Sequence, residues 1–343
     1  MEKEIVEKTD LLDEERHITI EGWARYPYWR YERKKLNASA LRIKEWDYYQ
    51  ILNKNEKYFI NLTFSDLGLF SMISISYVDY RRADYAMTSA LKFFTKNRMG
   101  LAESPEDDYA ATYADENITL SIIKKGAKRQ IIANCPRMRL PDGRTGLLVD
   151  AVIYDEMKES MNIATSWKED RRRFYYNEKR GPMRAEGSIM MDMERSSLDG
   201  CLALLDWGRG LWLRSSTWLW SAVMGEHDGK LFMLNLGYGF TDRSPASENC
   251  IIYDGRVHKI EEVEITIPED YEKEKWSIKD RKGRLYLEML PLINRKDHQD
   301  YKLIVSKQDQ VFGYINGYFI LDEGERIDIK EEMGFIEKVY NKW

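Results

Sequence analysis

Residues 206–240 read DWGRGLWLRSSTWLWSAVMGEHDGKLFMLNLGYGF. Four of the ten tryptophans (Trp207, Trp212, Trp218 and Trp220) fall within fourteen residues of this stretch, among Asp206, Arg209 and Arg214. Asp228-Gly229 follows, a pair that tolerates the positive φ angles of a tight hairpin turn. A second apolar strand comes after it. The pattern predicts a β-hairpin with an aromatic and charged approach, and a protein built from antiparallel strands around a lined cavity.

The same period-2 alternation recurs outward along the chain. In KYFINLTF (57–64), Tyr58, Ile60, Leu62 and Phe64 share one face, and Asn61 and Thr63 the other. LFSMISISY (69–77) and GRLYLEML (283–290) alternate likewise. Asp-Gly pairs at Asp142, Asp199, Asp228 and Asp254, Asn-Gly at Asn316, and Lys282-Gly283 supply turn signals for many hairpins. Helical candidates are few and short, near 83–96 and 155–164, and 83–96 reads equally well as a strand. Residues 1–17 read as a polar arm with room for a short helix. The expected class is all-β, a sandwich or barrel with few short helices.

EWDYYQILNKNEKYFINLTFSD (45–66) and TWLWSAVMGEHDGKLFMLNLGYGFTD (217–242) echo each other: a Trp-bearing strand, a polar turn and an alternating strand. Two barrels in tandem explain both the echo and the length of 343 residues. The charged segment 155–187, with Gly181-Pro182, is the expected junction. It divides the chain into an N-terminal barrel with its polar arm, 1–175, and a C-terminal barrel, 176–343.

Composition narrows the partners. The net charge of −5 and the short basic clusters argue against nucleic acid, which needs a concentrated basic face. No apolar run approaches the roughly 18–20 residues of a membrane span, and the charged first residues do not form a secretory leader. Cys135, Cys201 and Cys250 are widely spaced and read as buried, inert thiols of a reducing compartment, so a cytoplasmic protein is expected. There is no Gly-rich phosphate loop and no Gly-x-Ser-x-Gly elbow. The four histidines are dispersed, so no metal site and no cofactor are expected.

The candidate site gathers around the opening stretch. Trp218 and Trp220 are two apart and face one side of a strand, with Leu219 on the other. With Trp212 they form either a packed core or the wall of a cavity, where indole faces stabilise a cation by roughly 0.5–2 kcal/mol each. Asp206 is a candidate general acid if burial raises its pKa, and Glu248, before the strand at 250–253, is the second candidate carboxylate. Arg209 or Arg214 would anchor a ligand carboxylate or phosphate. Asn249 is the alternative polar contact, since neighbours on a strand point oppositely. Glu45, Trp46, Asp47, Tyr48 and Tyr49 make a similar mixture and read as structural, a strand with both faces packed.

Several segments together resemble the domain of unknown function 2804 family: GWARYPYWRYERKKL (22–36), RIKEWDYYQI (42–51), ESMNIATSWKEDRRRFYYNEK (159–179), residues 204–242, SENCIIYDGRVHKIEEV (247–263) and GFIEKVYNKW (334–343). More distantly, through Asp206-Trp207-Gly208, the chain is similar to the two-domain lipocalin-like superfamily of carotenoid hydratases, tocopherol cyclases, decalin-forming cyclases and AttH-like proteins. The resemblance implies tandem lipocalin-like antiparallel β-barrels and supplies no established activity. Three readings follow. The first is a protein that binds an apolar or amphipathic small molecule in a Trp-lined cavity. The second is a cofactor-independent hydratase, cyclase or isomerase using Asp206 or Glu248. The third is a structural protein whose aromatic surface meets a partner chain.

Overall fold

The computed structural model describes residues 2–300, 302 and 305–342, and nearly all of its regular structure is β. Two large antiparallel sheets share one connectivity. In the first, hairpins run through Ile43–Asn53, Tyr58–Asp66, Phe70–Asp79 and Asp84–Phe93, then Tyr109–Ala114, Thr119–Lys125, Lys128–Arg139, Thr145–Tyr154 and Phe174–Met191. The strand Cys201–Leu211 then returns to pair with both Phe174–Met191 and Ile43–Asn53. The second sheet starts with Ser215–His227 and Lys230–Tyr238 and ends with Val305–Ile320 and Arg326–Lys342. There too the final strand returns to pair with the one before it and with the first. The 45–66 and 217–242 echo therefore falls on equivalent opening hairpins of two curled half-barrels, the tandem lipocalin-like arrangement expected from the sequence.

Local chemistry accounts for the turns. Asp228 and Gly229 both have positive φ, 49° and 76°, so the hairpin at 227–230 takes the primed turn that matches strand twist. Asp254 and Gly255 do the same at 51° and 74°. Asn316-Gly317 is different from its sequence reading. It lies inside Val305–Ile320, where the pairing to Arg326–Lys342 shifts register, and so makes a bulge rather than a turn.

Three other expectations change. The segment 83–96 is a strand over Asp84–Phe93, and 155–164 is extended, with Met161–Ser166 pairing to Phe174–Met191. The arm is not helical either: Thr9–Asp10 pairs with Trp29–Arg30, and Glu2 reaches Lys259 at 2.7 Å, strapping the N-terminus to the second sheet. Among the described residues the only helical turns are the 3-10 segments Arg33–Leu36 and Ala40–Arg42. By sheet membership, residues 176–211, which the division at 175/176 assigns to the second half, are hydrogen-bonded into the first sheet. Glu178, Lys179, Asp206 and Arg209 in this segment are buried and paired, whereas Arg184, Glu186 and Glu194 are exposed. Among the described residues no helix is long and apolar enough to cross a membrane.

Alternation sorts the apolar side chains into three clusters. Ile51, Leu62, Phe64, Ile131, Val149, Leu205 and Trp207 fill the first lumen. Phe232, Leu234, Leu236, Ile251, Trp276, Leu287 and Phe319 fill the second. Between them runs a seam of Tyr48, Phe59, Tyr175, Leu204, Trp212, Trp220, Met233, Phe312 and Phe335. Cys135, Cys201 and Cys250 are free and buried, and burial pushes each thiol up to about 12, as expected of inert cysteines.

Candidate functional site at the seam

The Asp-Trp-Gly motif is a consequence of strand parity. Asp206 and Gly208 point into the seam and Trp207 into the first lumen. A Cβ on Gly208 would lie 2.0 Å from the Trp46 ring, so glycine is what lets that indole lie across the strand. Trp46 then stacks on Tyr175 with centroids 6.1 Å apart and meets Trp212 edge-on at 5.4 Å.

At the floor of this aromatic layer sits a group of buried ionisable side chains. Lys179 and Asp206 are directly opposite one another on paired strands, with Nζ 3.0 Å from Oδ1. Lys179 Nζ also lies 3.7 Å from Glu248 Oε2 and 4.3 Å from the centroid of the Trp220 ring. The Tyr175 hydroxyl donates to Glu248 Oε2 at 2.8 Å, and Asn177 Nδ2 donates to Asp206 Oδ1 at 2.6 Å. Glu248 Oε1 is buried with no hydrogen-bond partner among the described residues. Glu337 enters from the last strand, accepting from Trp218 Nε1 at 3.0 Å and from Gln308 at 2.9 Å.

Burial sets the electrostatics. Desolvation raises the Glu248 pKa above the usual carboxylate value; Lys179 opposes that shift and Asp206 adds to it. Glu337 is raised for the same first reason, against the hydrogen bonds from Trp218 and Gln308. Burial pulls Lys179 down, but the facing Asp206 and Glu248 outweigh it and leave its pKa raised. Desolvation followed by the Glu248 charge holds the Tyr175 hydroxyl well above its ordinary value, so it acts as a donor.

A cleft of about 610 Å³ opens outside the seam, lined by residues that include Trp167, Leu213, Thr241 and Asp242. Trp167 contacts Trp212 at 5.6 Å, and Trp212 contacts Tyr175 at 5.9 Å, so two rings connect the cleft to the residue bound to Glu248. Phe240 stacks on Tyr175 at 4.9 Å and on Trp218 at 5.5 Å, completing the wall. The loop carrying Phe240 is latched to the first sheet's segment. Asp242 accepts from Arg171 at 2.8 Å and lies 3.4 Å from Lys168. Burial works against that carboxylate, but the Ser244 N–H and Arg171 prevail and hold its pKa at about 2.

The residues expected from sequence are distributed as follows. Asp206, Glu248, Trp212, Trp218 and Trp220 converge on the seam. The indoles touch edge to face: Trp212 meets Trp218 at 5.4 Å, and Trp220 meets Tyr48 at 5.7 Å. Arg209 is not brought to them. Three residues along a strand is an odd step, so it points into the first lumen, where Nη2 lies 3.0 Å from Asp47 and its other nitrogens donate to the Ala102, Trp46 and Gly208 carbonyls. Arg214 is exposed. Asn249 directs Oδ1 to the Gly237 N–H and Nδ2 to the Glu261 carbonyl, tying backbone rather than lining the seam. Sequence reading missed Lys179, Tyr175, Asn177 and Glu337. The first three alternate in FYYNEKR (174–180), a signal hidden by reading that charged stretch as a junction; Glu337 carries no local signal.

Two curled antiparallel sheets closing on a seam of indoles and buried acids define a tandem lipocalin-like protein. The chain belongs to the family described as Domain of unknown function (DUF2804), which residues 2–343 match. Comparison with curated proteins found no match. Among solved structures the chain is similar to kievitone hydratase from Nectria haematococca, at 10% identity over 88% of each chain with a TM-score of 0.49. It is similar also to a putative AttH from Nitrosomonas europaea, at 10% identity over 87% of this chain and 92% of that one with a TM-score of 0.49. A third is CghA with Sch210972, at 8% identity over 88% of each chain and a TM-score of 0.49.

Proposed function

We propose that this protein binds an amphipathic small molecule at the seam, admitted from the Trp167–Asp242 cleft. The observation that supports this is the run of rings from Trp167 through Trp212 to Tyr175, which links a cleft of about 610 Å³ to a buried carboxylate. The indole faces suit the apolar body of a ligand, and Lys179 and Glu248 suit its polar end. Because the rings are in contact, entry requires Trp212 and Phe240 to turn aside. The test is native mass spectrometry of freshly purified protein, followed by tryptophan-fluorescence titration with the ligand recovered. Binding should weaken in Trp212→Ala and Phe240→Ala. An apo protein whose fluorescence no amphiphile perturbs would sink the proposal.

A second reading, cofactor-independent acid–base catalysis, is favoured by Glu248. Desolvation favours its protonated form, its Oε1 is unpartnered, and Tyr175 fixes the opposite oxygen. That is the arrangement of a proton donor, a role that contributes about 10²–10⁴-fold to rate. Glu248 would give its proton to a ligand carbon or leaving hydroxyl, and the Lys179–Asp206 pair would face the charge that develops. Partner-chain binding has less support, because Trp212, Trp218 and Trp220 face the seam rather than solvent. Given any turnover, Glu248→Gln should abolish it with the fold intact; full activity in that variant rules the reading out.

A further inference from the structure

The far end of the first sheet carries a patch unrelated to the seam. Residues 91–98 read LKFFTKNR, without one acidic side chain. Leu91, Phe93 and Phe94 are 47%, 59% and 68% exposed. Phe93 touches Phe70 at 6.2 Å and Phe94 at 6.5 Å, so the rings form one continuous apolar tip rather than scattered exposures. Lys92, Lys96 and Arg98 surround it, all exposed, and none forms an ion pair among the described residues.

The presentation of this tip is built into the backbone. Phe94, Lys96 and Asn97 all adopt positive φ, at 58°, 54° and 57°, a conformation that costs non-glycine residues. Buried polar side chains hold it in place. Thr95 Oγ1 donates to Asp66 at 2.8 Å and accepts from Ser71 at 2.9 Å, and Asn97 Nδ2 donates to Glu45 at 3.4 Å. The Phe94 N–H donates to the Leu69 carbonyl at 2.6 Å. Thr95 and Asn97 are pinned inward, while residues 91–94 are all exposed. A soluble surface has no need of two exposed phenylalanines, one of them held at positive φ, ringed by cations. An anionic bilayer does provide for both: its interface accepts aromatic rings and its surface potential attracts the lysines.

We propose that the 91–98 tip docks this protein onto the surface of an anionic lipid bilayer, with Phe93 and Phe94 inserted at the interface and Lys92, Lys96 and Arg98 against the headgroups. The charge complementarity is local, since the chain as a whole carries −5. This inference does not depend on the seam.

The test is flotation of the full chain with vesicles of phosphatidylcholine alone or mixed with phosphatidylglycerol. Binding is expected to the mixed vesicles and to weaken as salt is raised. It should fall roughly tenfold in Lys92→Gln/Lys96→Gln, and to background in Phe93→Ser/Phe94→Ser. All four side chains are exposed, so the thermal melts of both variants should overlay the parent. Absence of binding to mixed vesicles overturns the proposal, as does binding that Phe93→Ser/Phe94→Ser leaves intact. Sedimentation equilibrium of the lipid-free protein supplies the other decisive outcome: a dimer that the same substitution dissolves makes the tip an interface between copies and overturns membrane docking.

Discussion

The strands Ile43–Asn53, Phe174–Met191 and Cys201–Leu211 have two faces, and the two treat buried charge differently. Toward the first lumen four acids each meet a guanidinium: Arg33 with Glu45, Arg209 with Asp47, Arg129 with Asp155 and Arg180 with Glu178, at 2.8–3.0 Å. Toward the seam, Lys179 and Arg295 serve three carboxylates, Asp206, Glu248 and Glu337. The matched face neutralises itself and directs its donors into carbonyls and carboxylates, which makes it scaffold. The unmatched face has an excess of acid under desolvation, which raises the pKa of Glu248 and of Glu337. Two turns of parity along one strand thus separate structure from candidate chemistry. The second lumen gives the contrast its scale, since its cluster is filled by apolar side chains such as Phe232, Trp276 and Phe319.

The most damaging way to break this contrast is Arg209→Met. It leaves Asp47 fully buried without its cation and removes donors from three carbonyls, and a loss of about 3–5 kcal/mol by urea denaturation is expected. Arg209→Met/Asp47→Leu should recover part of that loss, because removing both charges also removes the desolvation cost. A loss below about 1 kcal/mol in the single variant would mean that the lumen network is not a scaffold.

Lys179→Met tests the other face and should cost somewhat less, about 2–4 kcal/mol near neutral pH. Here burial already raises the pKa of Glu248 and Glu337, so these acids can answer the lost cation by taking up protons. The penalty should therefore shrink on acidification. A penalty that stays constant on acidification would mean that the seam acids do not answer the lost cation with protons. A smaller probe is Trp218→Phe, which keeps a ring in the wall but removes the N–H donated to Glu337 at 3.0 Å. A loss of about 1 kcal/mol in thermal unfolding is expected, with the Glu337 pKa rising further as that hydrogen bond disappears.

The same parity explains what was legible in the sequence. Alternation in 57–64 and 215–227 and the Asp-Gly pairs at 228 and 254 specified strands and turns through local rules, so the class and the opening hairpins were readable. Trp218, Trp220, Asp206 and Glu248 were also reachable, because an apolar stretch with interspersed acids is unusual on its own. Asp206 and Arg209 are close in sequence but an odd step apart on one strand, so they face the seam and the first lumen respectively. Lys179 was invisible for a different reason. Its burial depends on Asp206 lying opposite it across two strands, a long-range pairing that a charged local sequence conceals. Glu337 is further still from the stretch it serves. Its place follows from the return of Arg326–Lys342 to Ser215–His227, the step by which Cys201–Leu211 places Asp206 beside Ile43–Asn53. Each closing strand thus contributes one acid to the seam, Asp206 opposite Tyr48 and Glu337 opposite Trp220, and those two rings touch at 5.7 Å.

The finest test of the contrast is Glu248→Gln. The amide keeps the size of the side chain and still accepts the Tyr175 hydroxyl, so little packing is lost, and the change near neutral pH should stay within about 1 kcal/mol. The pH dependence carries the information. Burial raises the Glu248 pKa in the folded protein above its ordinary 4.5, so the native state binds this proton more tightly than the unfolded chain does. Below 4.5 the side chain is protonated in both states, and its contribution to stability is fully present. As pH rises through the higher folded value, the native protein must either bury the charge or hold a proton that the unfolded chain has released, and stability falls. Glutamine has no proton to lose. Stability measured by urea denaturation should therefore favour Glu248→Gln over the parent progressively as pH rises from below 4.5, and Glu337→Gln should follow the same direction. If the parent and Glu248→Gln keep a constant difference across that range, Glu248 is not a retained-proton acid, and the seam is as electrostatically settled as the lumen behind it.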